Sequence, residues 1–128
     1  MSFLVLDSGG VSRLAERSRA ALATIAALRS GGLWPPVVPS VVLVECLKGH
    51  GARDTIENRF LKMCDVEERI PEPLARRAAQ LRRIAGRGSA VDALVIALAE
   101  PDGIALTTDP AVLEALAAHA VGVRVERV

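Results

Sequence analysis

Four carboxylates occupy the positions in this sequence best suited to chemistry. Asp7 ends the apolar run Phe3-Leu-Val-Leu6 and precedes Ser8-Gly-Gly10. Asp109 follows Ile104-Ala-Leu106 and Thr107-Thr108. Asp92 opens the most apolar stretch of the chain, ALVIALA. Glu45 lies inside VVLVECL, where a charge is costly unless it faces a cleft or water. In α/β sheets, ligands bind beyond the carboxyl ends of strands, where Asp7 and Asp109 would fall. Carboxylate oxygens suit hard cations. Each acid also has an ordinary role. Asp7 can be a turn residue, Asp92 the acidic member of a capping box with Ser89, Asp109 a helix N-cap, and Glu45 a residue on a solvated helix face. Other chemistries fall away. There is no G-x-S-x-G and no Walker-type Gly-Lys-Ser/Thr. The two histidines, His50 and His119, stand near no nucleophile or second metal-type ligand.

The elements that must position these acids alternate. Residues 3–6 read as a buried strand and residues 7–10 as a turn. Residues 11–30 read as one helix, with Leu14, Leu22, Ile25 and Leu28 on one side, stopped by Gly31-Gly32. Val37-Val38 makes a short strand interrupted by Pro39. Residues 41–47 suit either a strand or a helix capped by Ser40. Residues 53–63 read helical, and 64–66 read as a brief strand. Residues 71–87 form an amphipathic helix, with Leu74, Ala78, Leu81 and Ala85 opposite Arg76, Gln80, Arg83 and Arg87. Ser89 and Asp92 then open a buried helix ending at Pro101. Residues 104–106 read as a strand, Asp109-Pro110 starts a helix, and residues 121–125 close as a strand. Strands separated by helices predict an α/β fold with a mainly parallel sheet.

Composition narrows the function. A chain of 128 residues with 51% hydrophobic residues suits one folded domain. Lys and Arg number 16 against 15 Asp and Glu, which excludes a uniformly basic coat for nucleic acid but not a local patch. Phe3, Trp34 and Phe60 are the only aromatics, too few for a row of base-stacking rings. The N-terminus, MSFLVLDSGG, lacks a basic n-region, and the uncharged stretch 30–44 is short and broken by Pro35, Pro36 and Pro39. A signal peptide and a membrane span are therefore not expected, and a cytoplasmic protein is. Cys46 and Cys64 lie in apolar surroundings without CxxC spacing and are expected as buried, unpaired thiols.

Four short segments match a known pattern in order and spacing: Leu4-Val-Leu-Asp7-Ser, Val38-Pro-Ser-Val-Val-Leu-Val-Glu45, Val91-Asp92-Ala-Leu-Val-Ile-Ala and Leu106-Thr-Thr-Asp109. With them the sequence resembles the PIN-domain family, most closely the VapC-type toxin ribonucleases of bacterial toxin–antitoxin pairs. The resemblance covers residues 1–128 as a single domain. It implies a PIN-like five-stranded, mainly parallel sheet flanked by helices, with the Glu45 segment helical. It also implies that Asp7, Glu45, Asp92 and Asp109 meet at one end of the sheet as catalytic, metal-binding residues. Ser8 and Thr107 would support them from behind. Gly9 departs from the family, which often has a small polar residue there. A cognate antitoxin and a homodimer are the partners the family would bring.

Two carboxylates ~4–6 Å apart repel by roughly 3–4 kcal/mol at an effective dielectric near 20. Such a cluster must take up protons or cations, and its oxygens select Mg²⁺ or Mn²⁺. The expected reaction is hydrolysis of an RNA phosphodiester by metal-activated water, leaving, by resemblance, a 5′-phosphate and a 3′-hydroxyl. Cations must offset the acidic cleft for an RNA substrate. Arg76, Arg83 and Arg87, flanked by Arg77 and Arg82, are the expected RNA-binding stripe, with Arg87 nearest the Asp92 turn. The alternative is a catalytically inactive PIN module that binds only RNA or an antitoxin. A phospho-acceptor receiver domain is disfavoured, because Asp7 stands alone and Lys48 and Lys62 are in the wrong region for its lysine.

Overall fold

The computed structural model describes residues 2–128. Its centre is β1 (Leu4–Leu6), whose three side chains are fully buried. A continuous apolar run of this kind is what a strand covered on both faces requires. Asp7 stops it: the residue is extended, and its side chain caps α1 (Ser8–Ala15) by accepting from the Gly10 amide at 2.8 Å. The remaining elements are α2 (Arg19–Ser30), β2 (Val37–Pro39), α3 (Ser40–Cys46), α4 (Thr55–Leu61), β3 (Asp65–Glu67), α5 (Glu72–Ala85), α6 (Ala90–Ala99), β4 (Ile104–Thr107), α7 (Pro110–Ala117) and β5 (Arg124–Arg127).

The strands form one sheet in the order β3-β2-β1-β4-β5, and every pairing is parallel. The predicted mainly parallel sheet is therefore wholly parallel. Its order places β1 between β2 and β4, so the chain leaves all three neighbouring strands at the same edge. There Asp7, the start of α3 and the Thr107–Asp109 turn come together. The core spans both faces: Val11, Leu14, Val42 and Phe60 join Leu81, Val95, Ile96, Leu113 and Leu116 around the sheet.

Several boundaries differ from the sequence reading: the residues expected as a turn, 7–10, are the cap and first turn of α1, which starts at Ser8. The single helix expected over 11–30 is two helices. Arg17 adopts a left-handed backbone (φ 55°), which ends α1, and Ser18 caps α2 by accepting from the Ala21 amide at 3.1 Å. A non-glycine residue in that region costs about 1–2 kcal/mol, offset here by a side-chain cap on the next helix. Helix α5 stops at Ala85 because Gly86, in the left-handed region (φ 70°), takes the C-cap. The last strand begins at Arg124, three residues late, because Gly122 (φ 67°) turns the chain first. Residues 41–47, open between strand and helix, are helical, and Pro39 rather than Ser40 occupies the N-cap, with no side-chain bond.

One buried acid escaped the sequence reading. Asp54 is 4% exposed and accepts from the amides of Lys48, Gly49 and His50 at 2.8, 2.9 and 3.1 Å. These bonds, the Lys48 amide foremost, hold its carboxyl below the usual carboxylate range and fix the turn after α3.

Arg77 is also structural. Its guanidinium grips Glu100 through two bonds of 2.8 and 2.9 Å and reaches the His119 carbonyl at 3.2 Å. Glu100 further accepts from the Val121 amide at 2.8 Å, so one pair ties α5 to the ends of α6 and α7. The Arg77 bond is the largest cause of a lowered Glu100 pKa. A depressed acid adds stability above its ordinary value of 4.5 and loses it as pH falls through the folded value. Replacing Arg77 with Met should cost ~2 kcal/mol at neutral pH in denaturant unfolding, since hydrogen bonds to charged groups contribute ~1.5–3 kcal/mol. The gap to the parent should close once Glu100 is protonated in both states. A gap constant from pH 7 to pH 3 would refute the account.

Cys46 and Cys64 are free and half-buried rather than fully buried. Burial pushes the thiols up to about 11 and about 12. The thiolate is the reactive form. Native protein at pH 8 should therefore react with a thiol reagent far more slowly than unfolded protein, and its melting curve should not change with reductant. Rapid native labelling of either cysteine would contradict this.

Candidate metal and substrate site

Asp7 is the centre of the arrangement. It emerges from β1 half-buried, and both carboxylate oxygens are engaged: Oδ1 by the Gly10 amide and Oδ2 by the Thr107 hydroxyl at 2.5 Å. Residues 7 and 107 meet because β1 and β4 pair in register, Leu6 against Leu106. Thr107 is 1% exposed, so its hydroxyl must find partners within the protein. It donates to Asp7 and accepts from the Asp109 amide at 3.2 Å. Thr107 thus stands behind Asp7, whereas Ser8, in the first turn of α1, is half-buried and its side chain makes no hydrogen bond to an acid.

Burial raises the Asp7 pKa above its ordinary value, and the negative charge of Asp92 raises it further. The Thr107 hydroxyl and the Gly10 amide act in the opposite direction without cancelling the rise. Asp7 and Asp92 thus lie close enough to feel one another. Asp92 belongs to a complete capping box: its Oδ2 accepts from the Ser89 amide, and Ser89 Oγ accepts from the Asp92 amide, both at 3.0 Å. That is the ordinary role foreseen for it, and it leaves Oδ1 without a protein donor among the described residues. The box fixes the carboxylate at the start of α6.

The other two acids are exposed. Glu45 is exposed in the last turn of α3. Asp109 is exposed at the N-cap position of α7, yet its side chain makes no cap bond. Among the described residues, no three Asp, Glu, His or Cys side chains stand close enough to hold one ion. Of the other three acids, Asp92 is the one whose charge acts on Asp7, raising its pKa. A pair is still chemically sufficient for Mg²⁺, which keeps several waters and binds through one or two carboxylates plus substrate phosphate. The all-oxygen donor set, with Asp7 reluctant to ionise alone, fits a hard divalent cation.

Gly9 has a steric explanation. A β-carbon there would collide with the Thr108 hydroxyl oxygen and touch Thr108 Cβ at 3.4 Å.

Arg76 pairs with Glu72 at 2.7 Å, Arg77 is committed to Glu100, and Arg82 donates to the Gly88 carbonyl at 2.9 Å. Arg83 and Arg87 are exposed and form no ion pair among the described residues. Arg87 borders the Ser89–Asp92 cap.

No family model matches the sequence, and no curated protein matches it. A solved structure does match: VapBC2 from Rickettsia felis, bound to a DNA fragment from their promoter, superimposes with a TM-score of 0.69 at 11% identity, covering 98% of each chain. Agreement over nearly the full length, with five parallel strands in the order described, places this chain in the PIN-like α/β fold.

Proposed function

We propose that the chain is a Mg²⁺- or Mn²⁺-dependent endoribonuclease, the toxin of a toxin–antitoxin pair. The observation that carries this reading is Asp7 at the carboxyl edge of β1, backed by the Thr107 hydroxyl and held above its ordinary pKa by burial and, less strongly, by the charge of Asp92. The likeness to a VapBC2 structure supports the toxin assignment and a cognate antitoxin. A homodimer and a cytoplasmic location are proposed with it; among the described residues no helix is long and apolar enough to cross a membrane.

Asp7 and Asp92 would hold the ion, with Glu45 and Asp109 reaching it only through water. When bound, the ion supplies a water of lowered pKa and positive charge against the phosphate. The chain does the rest. Thr107 fixes the rotamer of Asp7, the capping box fixes Asp92, and Arg87 and Arg83 offset the acids for an incoming RNA backbone.

A labelled RNA should be cleaved with Mg²⁺ or Mn²⁺ and left intact with EDTA, and millimolar Mn²⁺ should raise the Tm. A ligand at 100 times its Kd stabilises the folded state by about 2.7 kcal/mol. Cleavage undiminished in excess chelator would sink the metal reading. The exposure of Glu45 and Asp109 favours a second reading, the inactive module that only binds RNA or an antitoxin. It predicts RNA binding without cleavage in any metal.

A further inference from the structure

The sheet carries a cation to the same edge that neither the stripe on α5 nor the acids made visible. Strand β5 pairs with β4 in parallel, Leu106 against Glu126 and Thr107 against Arg127. Strand β1 pairs with the other side of β4, Leu6 against Leu106. One step on, Asp7, Thr107 and Arg127 fall in one row across three strands. Paired residues of neighbouring strands project from the same face, and alternate residues of one strand from opposite faces. Thr107 projects toward Asp7, since their side chains are bonded. Arg127 therefore leaves the sheet on the face of Asp7, about two strand spacings, or ~10 Å, away.

The row beneath agrees. Val5 and Ala105 are fully buried and Val125 is half-buried, as expected for a face covered at the centre and thinning toward the β5 edge. Arg124 and Glu126, on the opposite face, lie within 4.0 Å of one another. Arg127 is exposed and forms no ion pair among the described residues, either with Glu126 beside it or with Asp109 beyond the end of β4. Its backbone is fixed: the next amide, Val128, donates to the Thr107 carbonyl at 2.8 Å.

We propose that Arg127 contacts the RNA backbone, binding a phosphate next to the one that lies over Asp7. This inference rests on the ribonucleic-acid reading above and extends it to the β5 side of the site. An extended strand laid across the carboxyl edge would cross Asp7, Thr107 and Arg127 in turn. Arg83 and Arg87 would meet it on the α6 side, so that the acids are flanked by cations on both. A guanidinium suits this role because its planar fork matches phosphate oxygens. The distance from Asp7 makes it a binding residue rather than one that touches the reacting atoms.

The test uses the full chain, a short fluorescently labelled single-stranded RNA, and its affinity across a range of salt concentrations. Each phosphate contact on a single strand contributes about 0.7 to the slope of log K against log salt. Arg127→Gln should weaken binding several-fold at low salt and lower the slope by about 0.7, so that a fourfold rise in salt narrows the gap to wild type about 2.5-fold. Arg127→Lys should restore the slope, because it restores the charge. In the cleavage assay Arg127→Gln should raise KM and leave kcat nearly unchanged. A merely structural arginine would instead lower the Tm and leave the slope alone. Equal slopes for wild type and Arg127→Gln overturn the proposal, and so does a wild-type chain that binds no RNA. A slope difference that persists without cleavage in any metal would uphold Arg127 while removing the nuclease reading.

Discussion

Asp7→Asn should abolish metal-dependent cleavage and, in metal-free protein, raise stability at neutral pH. The two effects have opposite signs for one reason. Burial and the Asp92 charge raise the Asp7 pKa, so the ionised carboxylate opposes folding when no cation is bound. An acid with a raised folded pKa costs nothing below its ordinary value of 3.8, where folded and unfolded chains are both protonated. The cost grows as pH rises through the folded value and is complete above it. Asparagine never carries it. The stabilisation by Asp7→Asn should therefore be largest near pH 7 and fade as pH falls below 3.8. The substitution preserves local structure, because an amide oxygen can still accept from Gly10 and the Thr107 hydroxyl can turn to accept from the amide nitrogen.

Cleavage should respond far more strongly. Removing a group that only supports a metal ligand costs ~10–100-fold in affinity or activity. Removing the charge of the ligand itself should cost at least ~100-fold by the same scale. The Mn²⁺-induced rise in Tm should shrink with it. Thr107→Val makes the intermediate case: it keeps the shape, leaves Asp7 without one donor, and should fall in the ~10–100-fold range. A folded Asp7→Asn protein with near-normal metal-dependent cleavage would exclude Asp7 from the site.

What the sequence made legible follows from how local each feature is. The runs 4–6 and 104–106 read as buried strands because nothing polar interrupts them. The capping box of Ser89 and Asp92 lies within four residues, so spacing alone reveals it. The break at Arg17 was illegible, because residues 11–30 hold no glycine or proline and arginine rarely turns left-handed. The late start of β5 was hidden by the even spacing of Val121, Val123 and Val125, which reads as strand whether or not Gly122 turns. Long-range partners leave no local trace. The bond from Thr107 to Asp7 spans a hundred residues, and Arg77 looks like one more member of a basic stripe until Glu100 is seen beside it. The row of Asp7, Thr107 and Arg127 exists only once the strand order and register are known. The four-acid expectation came from resemblance, and a short motif carries no record of side-chain burial: Glu45, three residues after buried Val42, is exposed in the last turn of α3.

Asp92→Asn separates the structural role of that residue from the chemical one. As part of the capping box, Asp92 offers one oxygen to the Ser89 amide, and asparagine can do the same. The change removes a negative charge in the first turn of α6, worth ~0.3–1 kcal/mol with the helix dipole. It also relieves Asp7 of a repelling neighbour, which offsets part of that loss. Net stability should move by less than about 1 kcal/mol in denaturant unfolding. Cleavage should fall at least ~100-fold if the charge holds the ion, as for Asp7. Asp109→Asn is the internal comparison. Its side chain is exposed and makes no cap bond, while its amide is tied to Thr107 whatever the side chain. A two-carboxylate site predicts a loss at Asp109 well below that at Asp92. A four-carboxylate site predicts equal losses, because then the exposed acids must swing inward when the ion binds. Near-normal cleavage by a folded Asp92→Asn protein would leave Asp92 as a helix cap and remove the pair on which the metal site depends.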